Sequence, residues 1–133
     1  MESLVAVPPL ACAPNSSSTT SGLRMGLTVI IPAYNEAEFV GDTIHSLLTQ
    51  TVPPDQIILV DDGSTDDTGD VGRRAGITVI RPPRNTGSKA GAKNFALPWV
   101  GTELVMAIDA DTTLAPNAVE TLMQSFTEPG VGA

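Results

Sequence analysis

From residue 27 onward, short apolar runs alternate with longer stretches whose apolar residues recur at helical spacing. Leu27–Ile31, Gln56–Val60, Thr78–Ile80 and Leu104–Ile108 are brief, rich in strand-forming residues and bounded by Pro, Gly or Asp, which predicts strands. Val40, Ile44, Leu47 and Leu48 mark one face of a predicted helix over Ala37–Gln50. A weaker helix, with Gly69 and Gly72 inside it, runs to about Ala75. A third opens at Gly87–Gly91 and reaches about Leu97, before Pro98. Ala118, Val119, Leu122, Met123 and Phe126 stripe a fourth after Pro116, a residue suited to a first helical position. Strand followed by helix four times over predicts an α/β fold with βαβ units, right-handed crossovers and a parallel sheet. Leu104–Ile108 has no polar interruption, as expected of a strand covered on both faces. Met1–Gly26 is predicted to be a disordered tail, because Asn15–Gly22 is a Ser/Thr-rich run without hydrophobic period. Residues 128–133 read as a turn toward a further strand, so the pattern is expected to break off inside a domain.

Parallel sheets of this kind bind ligands beyond the carboxyl ends of their strands. Three of the four strands end there in polar clusters: Tyr34-Asn35-Glu36 after Pro32 and Ala33, then Asp61-Asp62, then Asp109-Ala110-Asp111. Side chains two apart on an extended segment face the same way, so Asp109 and Asp111 can converge. Two adjacent carboxylates suit a hard divalent cation, Mg2+ or Mn2+. Taken alone, the pair is as readily an acidic loop after a core strand. Lys89 and Lys93, at the glycine-rich start of the third helix, favour an anion, although most such lysines are simply solvated. Ser64 and Asp67 have capping-box spacing. Asp66 and Asp67 are expected in the first helical turn, where negative charge suits the helix dipole, rather than in catalysis. His45 flanks an apolar face as a solvated residue, and Cys12 has no assigned role.

Charge and composition narrow the partners. Among 133 residues there are 7 basic and 15 acidic ones, giving a net charge of −8. That argues against nonspecific nucleic-acid binding, which needs a basic surface. An acidic chain that binds an anionic ligand needs a metal ion or a local basic cluster. One cysteine permits no internal disulfide. No apolar run is long enough to span a bilayer. No Lys or Arg precedes Arg24, and Pro8, Pro9 and Pro14 interrupt the early apolar stretch, so a signal peptide is not expected.

Three stretches together, Val29-Ile30-Ile31-Pro32-Ala33-Tyr34-Asn35-Glu36, Val60-Asp61-Asp62-Gly63-Ser64-Thr65-Asp66 and Asp109-Ala110-Asp111, resemble the family 2 glycosyltransferases in order and spacing. The resemblance covers residues 27–133. Asn85 to Asn94 is further similar to the Lys-Ala-Gly stretch of the processive members, the polysaccharide synthases. It implies the GT-A fold, a Rossmann-like, mostly parallel sheet with flanking helices, here cut after the fourth βα unit. It implies transfer of a sugar from a nucleoside diphosphate sugar to an acceptor glycan or lipid-linked sugar, with inversion and with Mg2+ or Mn2+. Pro32, Ala33, Tyr34 and Glu36, with Asp61 or Asp62, would contact base and ribose; a carboxylate can accept the imide N–H of uracil, which fits a UDP-sugar. Which of the two aspartates does so is open. Lys89 would lie near the diphosphate, and Asp109 and Asp111 match the Asp-x-Asp motif, one nearer the sugar or ribose and the other on the metal. A cytoplasmic location is implied.

The chain departs from the family pattern in carrying no later acidic motif for the general base, which is expected beyond Ala133. The rival expectation is a nucleotide-binding fragment without turnover. A dinucleotide-binding dehydrogenase is disfavoured, since no Gly-x-Gly-x-x-Gly follows the first strand. By the same resemblance, Gln56–Val60 and Thr78–Ile80 lie on one side of Leu27–Ile31 and Leu104–Ile108 on the other. That leaves Leu104–Ile108 as an uncovered, aggregation-prone edge.

Overall fold

The computed structural model describes residues 3–6 and 26–127. Its elements are β1 (Ser3–Ala6), β2 (Leu27–Ala33), α1 (Ala37–Leu48), β3 (Gln56–Asp61), α2 (Thr68–Arg74), β4 (Thr78–Ile80), α3 (Lys89–Ala96), a 3-10 turn at Leu97–Trp99, β5 (Leu104–Ala107) and α4 (Ala118–Thr127). Among the described residues they form a five-stranded sheet in the order β1-β5-β2-β3-β4. Strands β5, β2, β3 and β4 run parallel, and β1 pairs antiparallel with β5. The expected sides of β2 are therefore the observed ones.

The sheet has two covered faces, and strand alternation decides which residue serves which. Leu27, Val29 and Ile31 of β2, Ile57 and Leu59 of β3, and Leu104 and Met106 of β5 pack with Val40, Ile44 and Leu47 of α1 and with residues of α2 and α4. The intervening residues Ile30, Ile58, Val60 and Val105 pack against Ala92 and Ala96 of α3 on the other face. Crossovers are right-handed, so helices that lead the chain outward and the helix that brings it back must lie on opposite faces. The chain moves outward through α1 and α2 and returns through α3. The reversal falls at β2, whose neighbours are β3 and β5, and that is the topological switch point where such sheets open a ligand crevice.

The strand β2 runs through Pro32, where the sequence pattern stops it at Ile31. Backbone groups point alternately to the two neighbours. Ile30 O accepts from the Ile108 N–H and Ala33 O from the Asp62 N–H. The Pro32 nitrogen thus faces β5, beyond the last paired residues Ile30 and Ala107, so its missing N–H costs no ladder bond.

Two expectations are corrected at the amino end. Ser3–Ala6, placed in the disordered tail, is a strand, with Ser3 opposite Ala107 and Ala6 opposite Leu104. Four residues remote from any periodic segment carry no local strand signal; their partner supplies it. The edge of β5 is consequently covered, and the exposed edges of the described sheet are the short strands β1 and β4, lengths that give other chains little to pair with. Residues 1–2 and 7–25 of the expected tail, Cys12 included, and the turn at 128–133 lie outside the described residues.

Helix α2 sits close to the sheet because it carries glycines. A Cβ on Gly72 would lie 2.6 Å from Leu59 Cδ2 and 2.8 Å from Val79 Cγ2, closer than side chains pack. Leu59 is fully buried and cannot swing aside. Gly72→Ala should therefore lower the thermal midpoint despite its better helix propensity, through overpacking worth about 1–3 kcal/mol. A midpoint equal to or above the parent's in calorimetry would refute this packing.

Candidate active site

The carboxyl ends of β2 and β3 and the amino end of α3 enclose a cleft of about 650 Å3, lined by Pro32, Ala33, Tyr34, Glu36, Asp62, Gly63, Asn85, Gly87, Ser88, Lys89 and Ala92. That is an ordinary volume for a small-ligand site. A hollow of about 160 Å3 adjoins it, lined by Pro32, Lys89, Ala90, Lys93, Ala107, Ile108 and Asp109. Pro32 and Lys89 belong to both and form the wall they share.

The strand alternation separates the two aspartates of β3's end. Asp61 continues the side of Ile57 and Leu59, toward α2. It is buried, and its carboxylate accepts from the Ser64 N–H at 3.0 Å and from Arg81 Nη1 at 3.2 Å. A Cβ on Gly69 would come within 2.6 Å of Asp61 Oδ2, so α2 presents glycine there. Asp61 is thus held on the α2 side and does not line the cleft. Asp62 continues the side of Ile58 and Val60, toward α3, and does line it. Its carboxylate accepts from the Thr86 N–H at 2.8 Å and the Thr86 hydroxyl at 2.7 Å, and its carbonyl accepts from Asn85 Nδ2 at 2.7 Å. These bonds draw residues 85–87 over the cleft. They use part of the four or so acceptor positions of a carboxylate and leave others for a ligand.

The turn after β2 is fixed by its neighbour after β3. Asn35 takes a left-handed conformation, φ 54°, which Asn tolerates better than other side-chain-bearing residues. Its N–H donates to Ser64 Oγ at 2.8 Å, and its Oδ1 accepts from the Thr65 N–H at 2.8 Å. The Glu36 N–H donates to Thr68 Oγ1 at 2.9 Å and the Ala37 N–H to Asp66 Oδ2 at 3.2 Å. The capping box expected between Ser64 and Asp67 does not form: Ser64 serves Asn35, and Asp67, at the N-cap of α2, makes no side-chain capping bond. Asp66 instead ties the amino ends of α1 and α2 together. The Thr68 hydroxyl, and then the Thr68 and Ala37 N–H groups, hold its carboxyl below the ordinary Asp value. A lowered folded value means that the stability this tie contributes is whole above the ordinary Asp value and is lost as pH falls from there through the lowered one.

On β5's side, Val105 and Ala107 face α3, and Asp109 keeps that parity. Lys89 Nζ, at the start of α3, lies 3.0 Å from Asp109 Oδ1. Ala110, of the opposite parity, is buried on the α1 face. The strand stops at Ala107, and the Thr112 N–H donates to Asp109 O at 3.1 Å, closing a turn. Asp109 and Asp111 are thus joined by a turn and not by the extended segment that the sequence pattern suggested. Asp111 is exposed on it.

Sequence reasoning gave no individual role to Asn35, Asn85, Thr86 or Ser88. A local signal exists for two of them. Asn85 Oδ1 accepts from the Gly87 N–H at 2.7 Å, the Asx turn that Asn-x-Gly favours, and Gly87 has the positive φ such a turn needs. Ser88 caps α3, its Oγ accepting from the Gly91 N–H at 3.0 Å. Thr86 is identified only by the folded proximity of Asp62.

The profile of the Glycosyl transferase family 2 matches residues 28–133. The chain is 40% identical over 105 residues to a 4,4'-diaponeurosporenoate glycosyltransferase of Staphylococcus aureus, an alignment that takes in 75% of this chain. It spans only 28% of that relative's length. Among solved structures it superposes on S. aureus TarS 1-349 in complex with UDP-GlcNAc, with TM-score 0.73 and 25% identity over 78% of this chain and 32% of that one. It likewise superposes on glucosyl-3-phosphoglycerate synthase from Mycobacterium tuberculosis in complex with Mn2+, UDP and glucosyl-3-phosphoglycerate, with TM-score 0.69 and 25% identity over 85% of this chain and 43% of that one. No described helix is long and apolar enough to cross a membrane.

Proposed function

The chain belongs to glycosyltransferase family 2, and from that premise we propose that its cleft binds the nucleotide half of a UDP-sugar. In the whole protein the sugar would pass to an acceptor hydroxyl with inversion and with the help of a divalent cation. The observation that carries this reading is the ion pair between Lys89, on the wall shared by the large cleft and the smaller hollow, and Asp109, which lines the hollow. It sets a cation for phosphate and an anion for metal side by side at the switch point of the sheet.

The large cleft accepts the nucleoside. Tyr34 stands half-exposed at its edge and offers a ring face for stacking on a base. Asp62, which lines the cleft where Asp61 does not, would accept the uracil imide N–H. Pro32, Ala33 and Glu36 complete the base and ribose side. Lys89 would turn its ammonium to the diphosphate. The fit for a metal rests on the donor set: Asp109 already holds a cation, and both Asp109 and Asp111 offer hard carboxylate oxygens, the chemistry that Mg2+ or Mn2+ takes alongside ligand phosphates. When bound, the ion would offset the charge that grows on the departing diphosphate. In the transfer the bond from anomeric carbon to phosphate oxygen breaks, its electron pair leaving with UDP, while the acceptor oxygen bonds to the opposite face. The acceptor's proton goes to a general base that is assigned to no residue of this chain.

Calorimetric titration of the full chain with UDP, GDP and dTDP, in Mn2+ and in EDTA, tests this. UDP should bind at least about tenfold tighter in Mn2+ than in EDTA, a difference of about 1.4 kcal/mol, and tighter than GDP in both. Equal UDP affinity in EDTA would overturn the metal's role, and no measurable UDP binding would overturn the donor assignment.

A further inference from the structure

The segment from Ala110 to Val119 has no regular structure until α4 begins, and its backbone groups need partners. Helix α1 supplies them from Thr43 and Ser46, and Gln50, just past its C-cap, adds to the same polar stripe. The Thr43 hydroxyl donates to Ala110 O at 2.7 Å. Ser46 Oγ accepts from the Leu114 N–H at 3.1 Å. Gln50 donates through Nε2 to Ala115 O at 2.6 Å and accepts at Oε1 from the Val119 N–H at 2.9 Å. Thr43 and Gln50 are buried, and among the described residues no buried side-chain polar atom lacks a hydrogen-bond partner.

The first of these bonds grips the residue between the two acids. That bond holds Ala110 O toward α1, while the side chain of Asp109 beside it meets Lys89 on the α3 face. The i→i+3 bond from Thr112 to Asp109 then fixes where Asp111 follows. A polar side chain facing the sheet core is an expensive way to build a helix face, since it must be satisfied to be tolerated. Valine would match its shape but could not grip the turn.

We infer that Thr43 is a positioning residue for the acidic turn, setting Asp109 and Asp111 for the cation and diphosphate by its bond to Ala110 O. This rests on the reading of those aspartates as metal ligands. Residues that orient metal ligands without touching the metal typically cost 10- to 100-fold in metal affinity when removed.

The test uses the full chain with Thr43→Val, which keeps shape and loses the hydroxyl, and Thr43→Ser, which keeps it. Mn2+ affinity is measured with UDP present, UDP affinity in EDTA, and amide exchange at Thr112 without metal. Thr43→Val should weaken Mn2+ binding by about tenfold or more without weakening metal-free UDP binding. It should speed exchange at Thr112, and Thr43→Ser should restore both. A Thr43→Val chain that is less stable but binds Mn2+ as the parent does would overturn the inference and reduce the bond to fold maintenance. If the parent itself binds Mn2+ no better than Asp109→Asn, the metal reading has failed, and exchange at Thr112 alone then decides: unchanged exchange overturns positioning. Should Thr43→Val not fold, Ser46→Ala releases the same segment four residues on and is expected to shift Mn2+ affinity and Thr112 exchange in the same direction by less; no shift in either overturns the inference.

Discussion

Asp109→Asn should abolish the Mn2+ enhancement of UDP binding while slightly raising UDP affinity in EDTA. The two effects have opposite signs because, on the proposed reading, the variant gives up the charge that would hold a divalent ion and also releases Lys89. An amide keeps the shape of the carboxylate but brings no charge to hold a divalent ion, so the metal-dependent part of the affinity goes. Lys89 Nζ, 3.0 Å from Asp109, then meets the diphosphate with its charge no longer offset. The Lys89 side chain is 62% exposed, and an exposed pair is worth at most about 1 kcal/mol, so the metal-free gain should stay below about fivefold. Lys89→Met should mirror this, weakening UDP in EDTA and strengthening Mn2+ binding to the nucleotide-free chain. The check is calorimetry on both variants with and without metal. Retention of the Mn2+ enhancement by Asp109→Asn would remove Asp109 from the metal site.

The second large effect concerns stability, and its signature is a reversal of sign. Gly69→Ala alone should destabilise by about 1–3 kcal/mol, the usual cost of overpacking, because its Cβ would press on Asp61 Oδ2 at 2.6 Å. That oxygen also accepts from Arg81, and Asp61 is buried beneath α2, so the carboxylate cannot yield without breaking its bonds. Asp61→Ala alone should cost about 3 kcal/mol or more, since it removes two bonds to a charged acceptor and takes the acceptor from the buried Ser64 N–H; Arg81 keeps its bond to Ser64 O. In the Asp61→Ala background the obstruction is gone, and Gly69→Ala should become neutral or stabilising by up to about 1 kcal/mol, the helix preference for Ala. Denaturant unfolding of the four chains gives the cycle. Additive losses would show that Gly69 is there for some other reason.

What the sequence disclosed and what it withheld divide along a physical line. The strands β2 to β5 and the helices were legible because their apolar spacing is local. Three polar clusters at strand ends were legible because the chain writes them as contiguous residues. The choice between Asp61 and Asp62 was not, although each residue's parity along β3 was. It depends on which face α3 covers, and that follows only from the order of strands in the sheet. The extent of β2 past Pro32 depends on where β5 stops. Strand β1 was invisible because four residues have no period, and their conformation is set by a partner at the far end of the chain. The turn between Asp109 and Asp111 was misjudged for a related reason: β5 ends at Ala107 and a bond from α1 takes hold at Ala110, and neither Thr43 in α1 nor Gln50 just after it looks unusual in its own sequence.

The pairing of β1 with β5 also sets an order of events in time. Roughly a hundred residues separate Ser3 from Ala107, so at ribosomal rates of about 5–20 residues per second the first strand waits on the order of 5–20 s for its partner to be made. Closing a loop of that size is the slow kind of step in folding, because the chain loses its freedom before the contact repays it. The parallel core β2-β3-β4 is complete in the nascent chain well before then. Strand β1 therefore joins after β2, β3 and β4 have been made, as a clasp added to strands already in place.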